Sequence, residues 1–279
     1  MIAVKLEGRL GNQLFQYAFI YAWAKKLGVS FYLDKSIEPI LIDRYFEIKN
    51  DRFIWLDRNI FRIKGFKNFF SFYLRKIFYN NLSWFLNLKK ISTTGRETEF
   101  NIDNKTLIRG FFQSESFFIS ASEEIKSLLA IKPSFRQSFT EIFKQLPPDS
   151  AIVTIHIRRT DYIELDMALP LDYYKEAISK VALTNAYFVF ISDDPEFVQV
   201  NFADIEPKYI SNHSEIIDFQ FLIHANCCIL SNSSFSWWGA YLNTNNPTVL
   251  APKYWTGFRE KKEEPVGITM SNWQLIEIK

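Results

Sequence analysis

Residues 156 to 161 read His-Ile-Arg-Arg-Thr-Asp, which places an imidazole, two guanidiniums and a carboxylate at the end of an apolar run from Ile152 to Ile157. Such a set can bind an anion. Two arginines beside a buried strand are costly without a counter-charge, and guanidinium groups pair strongly with phosphate or carboxylate. In an extended chain, side chains two apart share a face, so His156 and Arg158 point one way and Arg159 and Asp161 the other. On that parity Arg158 is the ligand arginine, and Arg159 braces the loop by pairing with Asp161. The plainer reading is a surface ion-pair cluster.

Three further clusters could do chemistry. In Ser231-Asn232-Ser233-Ser234, Ser233 and Ser234 stand at the start of a helical pattern carrying Trp237, Trp238 and Tyr241, so the hydroxyls and backbone amides there form an anion nest at a positive helix end, or simply an N-cap. Ser192-Asp193-Asp194-Pro195 reads either as an N-cap with proline at the first helical position, or as a carboxylate accepting two hydrogen bonds from the N1 and amine edge of guanine. Gly8-Arg9-Leu10-Gly11-Asn12-Gln13 is glycine-rich but lacks the third glycine of a dinucleotide fingerprint and the lysine of a phosphate loop. Its glycines let backbone approach a ligand. Asn12 and Gln13 could bond sugar hydroxyls or phosphate, and Asn12 could equally cap a helix.

The elements that must position these groups follow from hydrophobic period. A strand from Ile2 to Leu6, a loop from Glu7 to Asn12, an amphipathic helix to about Leu27 and a strand from Val29 to Leu33 make a βαβ opening. Residues to about 110 are irregular and aromatic, with helices near Lys67 to Tyr79, Ser120 to Leu129 and Phe135 to Gln145. Pro147-Pro148-Asp149 then marks a domain boundary, giving lobes at 1–148 and 149–279. Beyond it, strands at 151–157, 186–191, near 208, 227–231 and 247–251 alternate with helices at 171–183, 195–201, 215–225 and 234–243. That alternation means a parallel sheet, with ligands outside the carboxyl ends of its strands.

Composition sets outer limits. The 279 residues can bury a genuine core, 48% hydrophobic and 23% charged is globular, and a formal charge of +2 offers no global field for nucleic acid. Cys227 and Cys228 are adjacent, so they read as buried small hydrophobes in a reducing compartment rather than a long-loop disulfide or a metal pair. No run reaches the ~18 apolar residues of a membrane span, and the start carries no basic signal-peptide head. The expected place is the cytoplasm. His213 and His224 read as packing residues.

The ordered strings G-R-L-G-N-Q-L-F-Q-Y-A (8 to 18), G-F-F-Q-S-E (110 to 115), H-I-R-R-T-D-Y (156 to 162), L-D-Y-Y-K-E-A-I (171 to 178), S-D-D-P-E-F (192 to 197) and S-N-S-S-F-S-W-W-G-A-Y-L (231 to 242) resemble the α-1,2-fucosyltransferase family, glycosyltransferase family 11. The resemblance spans nearly the whole chain, although residues 40 to 105 carry no motif of it. It implies an α/β, GT-B-like fold of two Rossmann-like lobes facing a cleft, with an acceptor-side N-terminal lobe and a GDP-sugar-binding C-terminal lobe. It also implies metal-independent, inverting transfer of L-fucose from GDP-β-L-fucose to the 2-hydroxyl of a terminal β-galactoside, in bacterial surface polysaccharide such as O-antigen.

Carried residue by residue, the resemblance puts Arg158 on the β-phosphate and His156 near the nucleotide. Asp193 or Asp194 reads the base, Ser233, Ser234 and Phe235 cradle the diphosphate, and Gly11, Asn12 and Gln13 face the donor from the other lobe. Thr160 departs from the glycine many members carry, and a β-branched residue disfavours left-handed backbone there. Glu7, Asp161 and Glu115 are candidates for the base that deprotonates the acceptor. Another GDP-deoxyhexose such as colitose is the nearest rival donor, and a noncatalytic sugar-nucleotide or glycan-binding module is the rival from another class. Arg58 to Lys90 combines eight Lys or Arg with many aromatics and no acid. It reads as an amphipathic excursion, or as a peripheral contact with anionic lipid at the inner membrane face through which the enzyme reaches a lipid-linked glycan.

Overall fold

The computed structural model describes residues 1–37, 39–61, 68–93 and 101–278. The chain divides into two compact units, Met1–Lys132 and Pro133–Lys279.

In the first unit four parallel strands stand in the order β2-β1-β4-β3, with β1 at Ile2–Lys5, β2 at Phe31–Asp34, β3 at Lys89–Ser92 and β4 at Thr106–Arg109. Helix α1, Leu10–Leu27, is apolar nearly all round and correspondingly buried along most of its length. It stops at Gly28, whose left-handed φ of 64° lets its N–H turn back to the carbonyls of Ala24 and Lys25. The expected opening loop is shorter than the sequence suggests. The helix starts at Leu10, so Gly11, Asn12 and Gln13 lie in its first turns.

Short helices α2 (Ile42–Tyr45) and α3 (Ile54–Leu56) and a π-helical turn (Asp57–Phe61) lead toward α4, Asn68–Phe85, which runs a turn and a half beyond its expected end. Strands β3 and β4 were not legible, because four-residue segments such as Lys-Lys-Ile-Ser carry too little alternation. Lys35, fully buried, meets Asp43 and Asp51 at 2.6 Å and Asp57 at 2.5 Å, and tethers the connection after β2 to the sheet. Helix α5, Ser122–Leu128, closes the unit.

The boundary falls at 132/133 rather than 148. Helix α6, Pro133–Phe143, belongs to the second unit because Phe139 packs edge-on against Phe221 at 5.1 Å and Gln220 donates to the carbonyl of Phe135. The proline pair merely leads into the next strand. Here six parallel strands stand in the order β10-β9-β8-β5-β6-β7, with β5 Ala151–Ile157, β6 Ala186–Ser192, β7 Lys208–Ile210, β8 Cys227–Ile229, β9 Thr248–Pro252 and β10 Gln274–Ile276. Helices α7 (Thr160–Glu164), α8 (Leu171–Ser179), α9 (Pro195–Asn201), α10 (Glu215–His224) and α11 (Ser234–Tyr241) connect them. Gly239 admits the crossing of α11 on α10: a Cβ there would sit 2.5 Å from that of Leu222. Both cysteines are free and buried, and burial pushes their thiols up to about 12.

Candidate active site

Strand order locates the site before any side chain does. From β5 the chain proceeds to β6 and β7 on one side, then returns to place β8 and β9 on the other, so the order reverses between β5 and β8. Ligands of open parallel sheets bind outside the carboxyl ends at such a switch. The three polar clusters expected to converge do so here, on the adjacent strands β8, β5 and β6.

Arg158 leaves the end of β5 with its guanidinium largely buried. Its Nη1 stands 2.8 Å from Oδ2 of Asp193, and its Nη2 2.7 Å from Oδ1 of Asp161. Arg159 pairs instead with Asp194, Nε to Oδ2 at 3.0 Å, and lies 3.6 Å above the Phe197 ring. The expected Arg159–Asp161 brace is therefore wrong. The extended geometry ends at Ile157 and α7 begins at Thr160, so the spacing of three residues brings Asp161 back to Arg158. Thr160 has no left-handed backbone to tolerate, and its hydroxyl donates to Asp193 at 2.5 Å. Asp193 also accepts the N–H of Arg159 at 2.9 Å.

Asp194 is the N-cap of α9, accepting the N–H of Phe197 at 3.0 Å with Pro195 at the first helical position. Both carboxylates of the acid pair are thus already engaged with the arginine turn. Across the switch, Ser233 is the N-cap of α11, its hydroxyl accepting the N–H of Phe235, and Ser234 is the first helical residue. Asn232 donates to the carbonyl of Met167 at 2.9 Å. His156 and Ser231 share a hydrogen bond of 2.7 Å, and the imidazole lies 5.3 Å from the Phe235 ring. Burial drives the His156 pKa down to about 3, with Asp193 opposing and Arg158 assisting. Its ring is neutral at ordinary pH. Ser231 and Tyr162, whose ring lies 5.7 Å from the Arg158 guanidinium, had no role assigned from the sequence. Tyr162 stands in the same string as Arg158, which was the available signal.

The remaining candidates lie in the first unit. Gln13, expected to bond a sugar or phosphate, is a buried clamp: its oxygen accepts the N–H groups of Leu41 and Ile42, and its amide donates to Gly8 and Pro39. Asn12 accepts from Gln113 at 2.7 Å. A Cβ on Gly8, whose φ is +74°, would collide with Asn12, so that glycine serves the turn. Gly11 is buried within α1. Glu7 pairs with Arg109 at 2.7 Å, and Glu115 opens a single 3-10 turn. A cavity of ≈ 230 Å³ lies at the carboxyl end of this sheet, lined by groups including Lys5, Asp34, Tyr79, Lys90, Ser92 and Arg109. Among the described residues no group of three His, Cys, Asp or Glu is placed to hold a metal. His224 stacks on Phe139 and His213 bonds the Tyr209 hydroxyl, both packing arrangements.

The sequence profile of glycosyl transferase family 11 matches residues 1–277. O-antigen biosynthesis glycosyltransferase WbnK of Escherichia coli is 29% identical, the match covering 96% of this chain and 98% of that protein. An α-1,2-colitosyltransferase of Escherichia coli is 27% identical over 91% and 92%. Fucosyltransferase NodZ from Bradyrhizobium superposes with a TM-score of 0.55 at 13% identity, over 86% of this chain and 91% of that one. NodZ α-1,6-fucosyltransferase soaked with GDP-fucose gives 0.54 at 12%, over 86% and 92%. At these identities the structural likeness speaks for the α/β, GT-B fold alone.

Proposed function

This chain belongs to glycosyl transferase family 11, and we propose that it transfers L-fucose from GDP-β-L-fucose, with inversion, to the 2-hydroxyl of a β-galactoside in a bacterial surface polysaccharide. One observation carries the proposal: Arg158 is fixed by Asp193 beside the N-terminus of α11, at the switch point of the second unit's sheet. Breaking the fucosyl C1–oxygen bond builds positive charge on the sugar and negative charge on the leaving diphosphate. A preorganised guanidinium and helix-terminal amides stabilise that leaving group.

A diphosphate reaching Arg158 exchanges with Asp161 at Nη2 while Asp193 keeps its hold on Nη1. Asp161 is half exposed, whereas Asp193 is 20% exposed and held by Arg158, Arg159 and Thr160 together. The exchange releases a carboxylate beside the reaction, and Asp161 is thereby the base for the acceptor hydroxyl in preference to Glu7, which Arg109 holds. Arg158 and the amides supply the leaving-group stabilisation that this reading needs, so no metal enters it. The neutral His156, with Phe235, packs the base of the nest, and Ser233 and Ser234 face the phosphates. The first unit, whose cavity is lined by hydroxyl, carboxylate and amine groups, is the proposed acceptor side.

The name of the WbnK relative supports O-antigen synthesis as the setting, and the colitosyltransferase supports GDP-colitose as the rival donor. A panel of GDP-sugars against β-galactoside acceptors, with linkage analysis of the product, tests the reading. Transfer from GDP-fucose forming an α-1,2 bond is expected. Transfer from another GDP-sugar alone would reassign the donor, and no transfer or hydrolysis of any of them would favour a noncatalytic binding module.

A further inference from the structure

Helix α4 is apolar on two opposite sides. Inward, Tyr79 and Leu82 join Ala3, Tyr32 and Leu107 in the core under the first sheet. Outward, Phe70, Tyr73, Leu74, Ile77, Trp84 and Phe85 are exposed, with Phe70 at 65%, Ile77 at 57% and both Trp84 and Phe85 at 74%. At the α-helical 3.6 residues per turn those six positions fall within an arc of about 120°. They make one stripe along the helix rather than scattered side chains. A surface helix ordinarily carries charged and polar residues on that face, and a contiguous exposed apolar stripe marks a contact surface.

Charge identifies the partner. From Arg58 to Lys90 the sequence holds eight Lys or Arg and no Asp or Glu, while the whole chain carries only +2, so the rest of the molecule is net negative. Lys76, Lys89 and Lys90 are exposed. A second copy of this chain would bring the same cations face to face across a two-fold axis, which opposes pairing. Trp, Tyr and Phe on one face of a helix that also exposes Lys76, within so basic a segment, suit the boundary between acyl chains and anionic headgroups.

We propose that the outward face of α4 docks on a lipid bilayer bearing anionic headgroups, the helix lying in the plane of the interface. Among the described residues no helix is long and apolar enough to cross a membrane, so the contact is peripheral. For a glycosyltransferase, docking brings the enzyme to a glycan carried on lipid.

Co-sedimentation of the whole chain with phosphatidylglycerol vesicles, against phosphatidylcholine vesicles, tests it. Sedimentation with the anionic vesicles at low salt, weakened by added salt, is expected. The double variant Trp84→Ser/Phe85→Ser should weaken partition by roughly tenfold or more, since each ring loses its burial in the interface. Lys76→Glu/Lys89→Glu should do so only on anionic vesicles. Unchanged circular dichroism would establish that both variants remain folded. No binding at low salt, or equal binding to neutral and anionic vesicles, overturns the proposal. So does a concentration-dependent dimer that Trp84→Ser/Phe85→Ser dissolves without any vesicle binding.

Discussion

Nη1 of Arg158 lies 2.8 Å from Oδ2 of Asp193, and that carboxylate also accepts the N–H of Arg159 and the hydroxyl of Thr160. The pair joins the ends of β5 and β6 and holds the guanidinium beside the switch point. Arg158→Ala should lower kcat by ~10² to 10³ while the fold survives, as for removal of one preorganised transition-state donor. Arg158→Lys should recover little, because an ammonium lacks the planar fork that presents Nη1 to Asp193 and Nη2 to a phosphate. Steady-state transfer with GDP-fucose checks both.

The two acids on Arg158 should separate. Asp161→Asn removes an anion that competes for Nη2, so GDP should bind ~2- to 5-fold tighter, the scale of a half-exposed ion pair. Turnover should nevertheless fall about 10²-fold, as expected for loss of a general base. Asp193→Asn should weaken GDP binding and lower stability by about 1–3 kcal/mol, since it strips partners from a largely buried guanidinium. Calorimetric titration and urea unfolding distinguish the two variants. Tighter GDP binding with unchanged turnover in Asp161→Asn would leave Asp161 no part in proton transfer.

His156 predicts a pH dependence of stability. Its folded-state pKa of about 3 lies below the unfolded value near 6.5, so the unfolded chain binds the extra proton between them. Its contribution is therefore intact above pH 6.5 and is lost as pH falls from there toward 3. An imidazole NMR titration should show no protonation of His156 between pH 8 and 5, and His156→Gln should flatten the acid limb of the stability curve.

Lys35 supports the first unit as Arg158 supports the second. Burial alone would lower its pKa, but Asp43, Asp51 and Asp57 outweigh that and hold it above the ordinary lysine range. Lys35→Met should destabilise the protein by roughly 3–5 kcal/mol, because it leaves three carboxylates without their buried cation. Thermal unfolding measures this, and a loss under 1 kcal/mol would show that the acids simply take up protons.

What the sequence disclosed depended on how local each signal was. The second unit's alternation was legible because strands such as β5, β8 and β9 are buried apolar runs and its helices carry plain starts, such as Ser233 before α11 and Asp194-Pro195 before α9. In the first unit β3 and β4 are short, and their place in the sheet depends on β4 pairing with β1 and β3 with β4, which are non-local facts. The boundary moved for the same reason. Pro147 and Pro148 are conspicuous locally, but the packing of Phe139 on Phe221 decides where α6 belongs. At the site, residue identities were readable and their pairings were not. Parity assigned Asp161 to Arg159, and one turn of helix at Thr160 reassigned it to Arg158.

In the proposed reaction the carboxyl ends of β5 and β8 clasp a diphosphate. A crystal structure of the complex with guanosine diphosphate decides the matter. The β-phosphate should lie against the Arg158 guanidinium and the backbone amides that follow Asn232, with Asp161 turned away from Nη2 and Asp193 still in place. Nucleotide bound at any other part of the molecule, with both Arg158 ion pairs intact, would contradict it.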